Sequence, residues 1–211
     1  MRLGFFLILC LMLTGCDDSR LRVYYADGLE GCLARQDIKA FNRIASSCET
    51  VLAELYGRAT SAENYYIFLE DLATSTDYDK LFNNALFQED MEAYKASDLF
   101  TRLMTRSSKT PMGDEMIRRI RPGVKPTEEP LDPFVMKPGN RYALCLKNIN
   151  EVREVVELIE AMDTGIFLKP HYMADKAATG LEKADYDTHA VRLFIATHIY
   201  LQIGMLMPDR E

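Results

Sequence analysis

Three residues near the C-terminus, Asp185, Asp187 and His189, alternate along the chain, and an extended backbone would bring them together as oxygen and nitrogen donors for a metal ion. At the start of a helix the same acidic pair serves the helix dipole instead, and an apolar run follows directly, so the helix start is the expected role. His198 lies nine residues further on, within that run, where a hydrogen-bonded core histidine is expected. Adjacent carboxylates occur at Glu70-Asp71, Glu89-Asp90 and Glu128-Glu129. Neighbours in sequence do not share a helix face, so these pairs read as solvated surface and not as acid-base couples. No Gly-x-Ser-x-Gly elbow, phosphate-binding Gly-rich loop or dinucleotide fingerprint is present. The expectation is a protein that is not an enzyme, with no catalytic residue, no metal and no cofactor.

The other chemistry belongs to cysteine. Residues 1–16 read MRLGFFLILCLMLTGC: one positive charge at Arg2, an apolar run from Leu3 to Leu13, then Thr14 and Gly15 before Cys16. This has the three regions of a signal peptide. Asp17 and Asp18 end the run well short of the roughly 20 apolar residues of a membrane span. The tetrad Leu13-Thr14-Gly15-Cys16 resembles the lipobox of bacterial lipoproteins. That resemblance implies cleavage before Cys16, acylation of Cys16 and a protein anchored on the bilayer, facing the periplasm. It also makes Asp17 a sorting residue that favours the inner over the outer membrane. Cleavage would remove fifteen residues, Arg2 among them, leaving 196 residues with a formal charge of −8.

With Cys10 in the leader and Cys16 lipidated, Cys32, Cys48 and Cys145 remain, and an oxidising compartment permits one disulfide. Cys32 and Cys48 are close in sequence and form the preferred pair. On one straight helix from Asp37, Cys48 would rise about 16 Å from its start, beyond the ~7 Å Cα separation a disulfide tolerates. The pair therefore requires a break, and Ser46 with Glu49 matches a capping box that could begin a new helix there.

The elements that would position these residues are mostly helices. Ile38, Phe41, Ile44, Ala45, Cys48, Val51, Leu52 and Leu55 recur with helical period between Asp37 and Gly57. Thr60 and Glu63 form a second capping box ahead of Tyr65, Phe68, Leu69 and Leu72, and Asp77 is a candidate cap for the next segment. Six of the eight prolines fall between 105 and 140, which excludes a long helix there. From Arg102 to Lys125 that stretch has a local balance of +5, with Arg118, Arg119, Arg121 and Lys125 the candidates to contact anionic headgroups or an acidic partner. Tyr142, Leu144 and Leu146 alternate as in a strand, and Gly165 to Leu168 could supply a second one parallel to it. Thirteen of the 19 residues from His189 to Met207 are apolar on every side, the pattern of a central buried helix.

The expected fold is mainly α: a multi-helix domain with a Pro-rich connector and room for one short strand pair near the C-terminal part. The divisions are the leader 1–15, a tether 16–21, a helical part 22–104, the basic connector 105–140 and a further part 141–211. A pI near 5.1 argues against nucleic-acid binding through phosphate neutralisation. Eleven tyrosines suit protein contact, because a tyrosine buries much area at low rotamer cost. In architecture the chain is similar to immunity lipoproteins that neutralise secreted toxins or lipases, which implies a protein partner. A structural accessory of a secretion or conjugation machine is the alternative, and an envelope-acting enzyme comes third.

Overall fold

The computed structural model describes residues 25–75, 77–111 and 132–207, so the leader with Cys16 and Asp17 and the basic residues Arg118, Arg119, Arg121 and Lys125 lie outside the described residues. After a short 3₁₀ turn, Asp27–Leu29, come helices α1 (Arg35–Tyr56), α2 (Ser61–Thr74), α3 (Asp79–Phe82), α4 (Ala85–Lys95) and α5 (Asp98–Leu103). Strands β1 (Met104–Arg106) and β2 (Phe134–Met136) follow, then α6 (Arg141–Ile149), α7 (Arg153–Asp163) and α8 (Pro170–Gly180). The final helix, α9, opens at His189–Phe194, widens to a π-helix over Ile195–Tyr200 and closes at Leu201–Gly204. Among the described residues the fold is mainly α, with one two-stranded antiparallel sheet. No described helix is long and apolar enough to cross a membrane.

Local chemistry explains most boundaries. Thr60 and Glu63 form the capping box of α2, the Thr60 side chain accepting from Glu63 N and Glu63 accepting from Thr60 N. Asn84, Ser97, Asn140 and Thr188 cap α4, α5, α6 and α9 in the same way from a single side chain. Gly57 closes α1 in the left-handed conformation at φ 57°. The Ser46–Glu49 box does not form, and α1 runs unbroken for 22 residues. Both Ala45 and Cys48 are on its buried face, so continuing the helix keeps the apolar stripe against the core.

That continuity corrects the disulfide. An unbroken α1 carries Cys48 about 20 Å from its first residue. Cys32, in the turn before α1, bonds instead to Cys145, with Cα atoms 5.9 Å apart. Cys145 is reachable because α6 packs on the 27–29 turn. Cys48 is a free, fully buried thiol.

The strands also lie elsewhere than the sequence suggests. Residues 141–149 are helical: Tyr142, Ala143, Cys145 and Leu146 are buried at helical spacing, whereas Leu144 is 53% exposed, so the apparent alternation counted one surface residue. Gly165 to Leu168 is irregular chain after α7. The sheet forms at the two ends of the Pro-rich stretch, pairing Met104 with Met136 and Arg106 with Phe134 in antiparallel register. Asp132 ties its open end, accepting from Ser108 N and Ser108 Oγ at 2.8 and 2.7 Å, and Arg106 lies 3.9 Å over the Phe134 ring.

The core is one cluster running from Tyr25 to Met205 around α9, which is buried from Leu193 to Met205. Helices α1, α4, α6 and α8 each touch α9, and α2 packs along α8, joining the first and last parts of the chain. Close approach at Gly204 and Gly165 shapes the packing around α9 and the sheet. A Cβ on Gly204 would stand 2.1 Å from Met91 Sδ, which is how α4 comes to lie against α9. Gly165, at φ 80°, accepts a hydrogen bond at its carbonyl from Thr110 Oγ1 at 3.0 Å, and a Cβ there would stand 2.7 Å from both Pro138 and Thr110. Gly165→Ala adds left-handed strain to that overlap and is expected to destabilise the fold by more than about 1 kcal/mol. Urea unfolding checks this, and an unchanged midpoint would contradict the packing described.

Candidate functional site

The residues singled out for chemistry are placed in separate structural roles. Asp185 Oδ2 accepts from Glu182 N at 2.8 Å, and Asp187 pairs with Arg192 at 3.2 Å. His189 opens α9 with its ring 5.5 Å from that of Tyr25. Among the described residues no group of three or more His, Cys, Asp or Glu side chains is placed to hold a metal ion. His198 is a core residue: its Nδ1 lies 3.0 Å from Thr197 Oγ1, and its ring stacks between Tyr142 and Phe194. Burial pushes its pKa down to about 3, so the ring is neutral at ordinary pH. Asp71 takes hydrogen bonds from Tyr56 and Lys80 at 3.0 and 3.1 Å. Glu128 and Glu129 lie outside the described residues.

A cleft between α1, α4, the start of α5 and α9 brings together residues that the sequence did not connect. Helix α1 contributes Ala40, Arg43, Ile44 and Ser47, which are i, i+3, i+4 and i+7 on one face. Helix α4 contributes Asp90, Met91 and Tyr94, and α9 contributes Tyr200 from the end of its π-helical turn. The cleft, open to solvent on one side, holds about 140 Å³, with walls that are mostly aliphatic or aromatic. π-Helical turns are rare and are found frequently at functional sites.

Asp90 is the chemical centre of the cleft. Ser47 Oγ donates to its Oδ2 in a close contact. Burial among apolar neighbours raises the carboxyl to about 6 from its ordinary 3.8; Arg43 on the cleft rim opposes the shift and Glu89 adds to it. The Tyr94 hydroxyl is buried without a hydrogen-bond partner, and the Tyr200 hydroxyl sits beside Ser47 without a bond of normal geometry. Behind this wall Cys48 lies against Tyr65, and burial pushes its thiol up, so it is held protonated and unreactive.

Comparison with family models, with curated proteins and with solved structures finds no match to this chain. The cleft therefore stands on its own geometry. One clue to it was present in the sequence: Asp90 borders the Phe87, Met91, Tyr94 stripe of α4, whereas most carboxylates lie opposite an apolar stripe. Nothing local linked it to Ser47 or Tyr200, which are 43 and 110 residues away.

The folded protein holds the Asp90 proton more tightly than the unfolded chain. Its stabilising contribution is thus present at acidic pH and is lost as pH rises through about 6. Asp90→Asn removes the buried charge while keeping an acceptor for Ser47. It is expected to raise the melting midpoint by a few degrees at neutral pH, with solvent screening limiting the gain, and to match the natural protein near pH 4. A gain that is independent of pH would show that Asp90 is not held as described.

Proposed function

We propose that the chain is a lipid-anchored protein on the periplasmic side of a bacterial membrane that docks on, and neutralises, a protein partner such as a secreted toxin or lipase. The observation that carries the compartment is the Cys32–Cys145 disulfide, which closes across 113 residues of chain. Such bonds persist where thiols are oxidised, and this one is found in a chain whose first sixteen residues resemble a lipoprotein leader. Docking is supported by the cleft, which opens an apolar wall and the half-buried Asp90 carboxylate to solvent, with the unpartnered Tyr94 hydroxyl buried behind them. A half-buried carboxylate is costly in the isolated protein, and a partner that supplies a hydrogen bond or a positive charge offsets that cost.

Metabolic labelling with palmitate tests the anchor: the natural chain is expected to take up label and sediment with membranes, and Cys16→Ala to lose both. Label retained by Cys16→Ala would place the lipid elsewhere or refute it. A photo-reactive amino acid substituted for Ala93, an exposed residue at the cleft mouth, tests docking in living cells. One dominant protein adduct is expected, absent when the leader is exchanged for one that retains the chain in the cytoplasm. A ladder of weak adducts, or none, would count against a specific partner.

A further inference from the structure

The cleft holds a carboxylate that makes no close ion pair, with only the more distant charge of Arg43 acting on it. Asp90 is bonded by Ser47 on one oxygen only, and among the described residues no Lys, Arg or His nitrogen is within ion-pair distance of it. Arg43 lines the same rim and its charge acts on Asp90, but the residue is exposed and makes no ion pair with it. An unpaired, half-buried carboxylate is costly, and a cation entering the cleft would relieve that cost.

The surrounding atoms define which cation fits. Ser47 Oγ has given its hydrogen to Asp90 and keeps lone pairs; Tyr200 Oη lies beside it; and Asp90 Oδ1 accepts from no described residue. These are three acceptors grouped at one end of the cleft, and an ammonium has three N–H donors and no acceptor. A guanidinium matches poorly, because its planar fork seeks both carboxylate oxygens and one is already engaged. The rest of the cleft is apolar, with Ile44, Met91 and Leu99 along its length and the ring of Tyr94 beside them. Its volume of about 140 Å³ is close to the ~150 Å³ that suffices for a six-carbon ring in a protein interior. An aliphatic stem of four or five heavy atoms fits that space.

We propose that this cleft is a binding site for a primary alkylammonium group, with its nitrogen among Asp90, Ser47 and Tyr200 and its stem against Ile44, Met91 and Leu99. A free alkylamine and the side chain of a lysine share this chemistry. The site rests on the geometry of the cleft and not on the docking reading, so failure to find a protein partner leaves it standing.

Calorimetric titration of the full chain in detergent at neutral pH, with butylamine and with an N-acetyl-lysine amide, tests the assignment. Saturable one-to-one binding is expected for at least one of them, and which binds more tightly identifies the source. Butanol, matched in shape but uncharged, should bind about tenfold more weakly or worse, as should butylamine to Asp90→Asn, whose folding the pH-dependent melting experiment checks independently. Arg43→Gln removes a like charge from the rim and is expected to tighten binding severalfold. Ala93→Phe, at the exposed mouth, should weaken it without unfolding the protein. Equal binding of butanol, undiminished binding to Asp90→Asn, weaker binding to Arg43→Gln, or no saturable binding of either amine would overturn the proposal.

Discussion

The rest of the structure depends on the burial of α9 on all its sides. From Leu193 to Met205 every residue is buried, including Thr197, His198 and Gln202. A helix apolar all round has no face to give to water, so other helices must enclose it. The amphipathic helices α1, α4, α6 and α8 do this, each placing one stripe on α9. The polar residues within α9 then need partners inside the protein. Thr197 shares a hydrogen bond with Tyr142 at 2.7 Å and returns one to the Leu193 carbonyl, and Gln202 donates to the Phe134 carbonyl at 3.0 Å. The last of these also holds β2 against the core, so the small sheet at the ends of the connector is positioned by the same helix.

Enclosure by separate helices also accounts for the cleft. Where α4 turns into α5 at Ser97, the chain leaves the groove between α1 and α9 incompletely filled. Met91, pressed against Gly204, brings α4 close at one point, and Tyr94 and Leu99 line the space beyond it. The carboxylate at its end is therefore held by core-forming elements and not by a loop. A rigid setting of this kind fixes acceptor positions more closely than a mobile one could.

Much of this was legible in the sequence where one local rule dominates. Period 3.6 located α1 and α2, the Thr60–Glu63 box marked the start of α2, and the unbroken apolar run marked α9 as the central helix. The misreadings occurred where two rules competed. Ser46–Glu49 has a capping signature, but the apolar stripe continues through Ala45 and Cys48, and burial of that stripe outweighs a cap of about 1 kcal/mol. Tyr142 to Leu146 fits both periods for so short a run; the Asn140 cap and the buried Cys145 favour the helix, and the disulfide partner changed with it. The cleft was the least legible part. Asp90 is one of 32 acidic residues, and its distinction comes from Ser47 and Tyr200, which only tertiary packing brings near.

The proposed lipid at Cys16 would limit where such a cleft can act. Tyr25 and Ala26 are already buried, and Ala26 N donates to Asn42 Oδ1 at 2.8 Å, so the body of the protein is engaged from Tyr25 onward. If Cys16 carries the lipid, eight residues lie between it and Tyr25, and even a fully extended chain would span no more than about 32 Å over those nine Cα steps. A partner would then have to be met close to the membrane surface, within roughly a domain's diameter of it. This constraint suits a protein that intercepts something acting on the envelope, because holding the binding domain in a thin layer raises its local concentration where the target works. Under the proposed anchoring a modest cleft would also suffice, because the tether and the cleft would each supply part of the encounter and neither would have to supply all of the affinity.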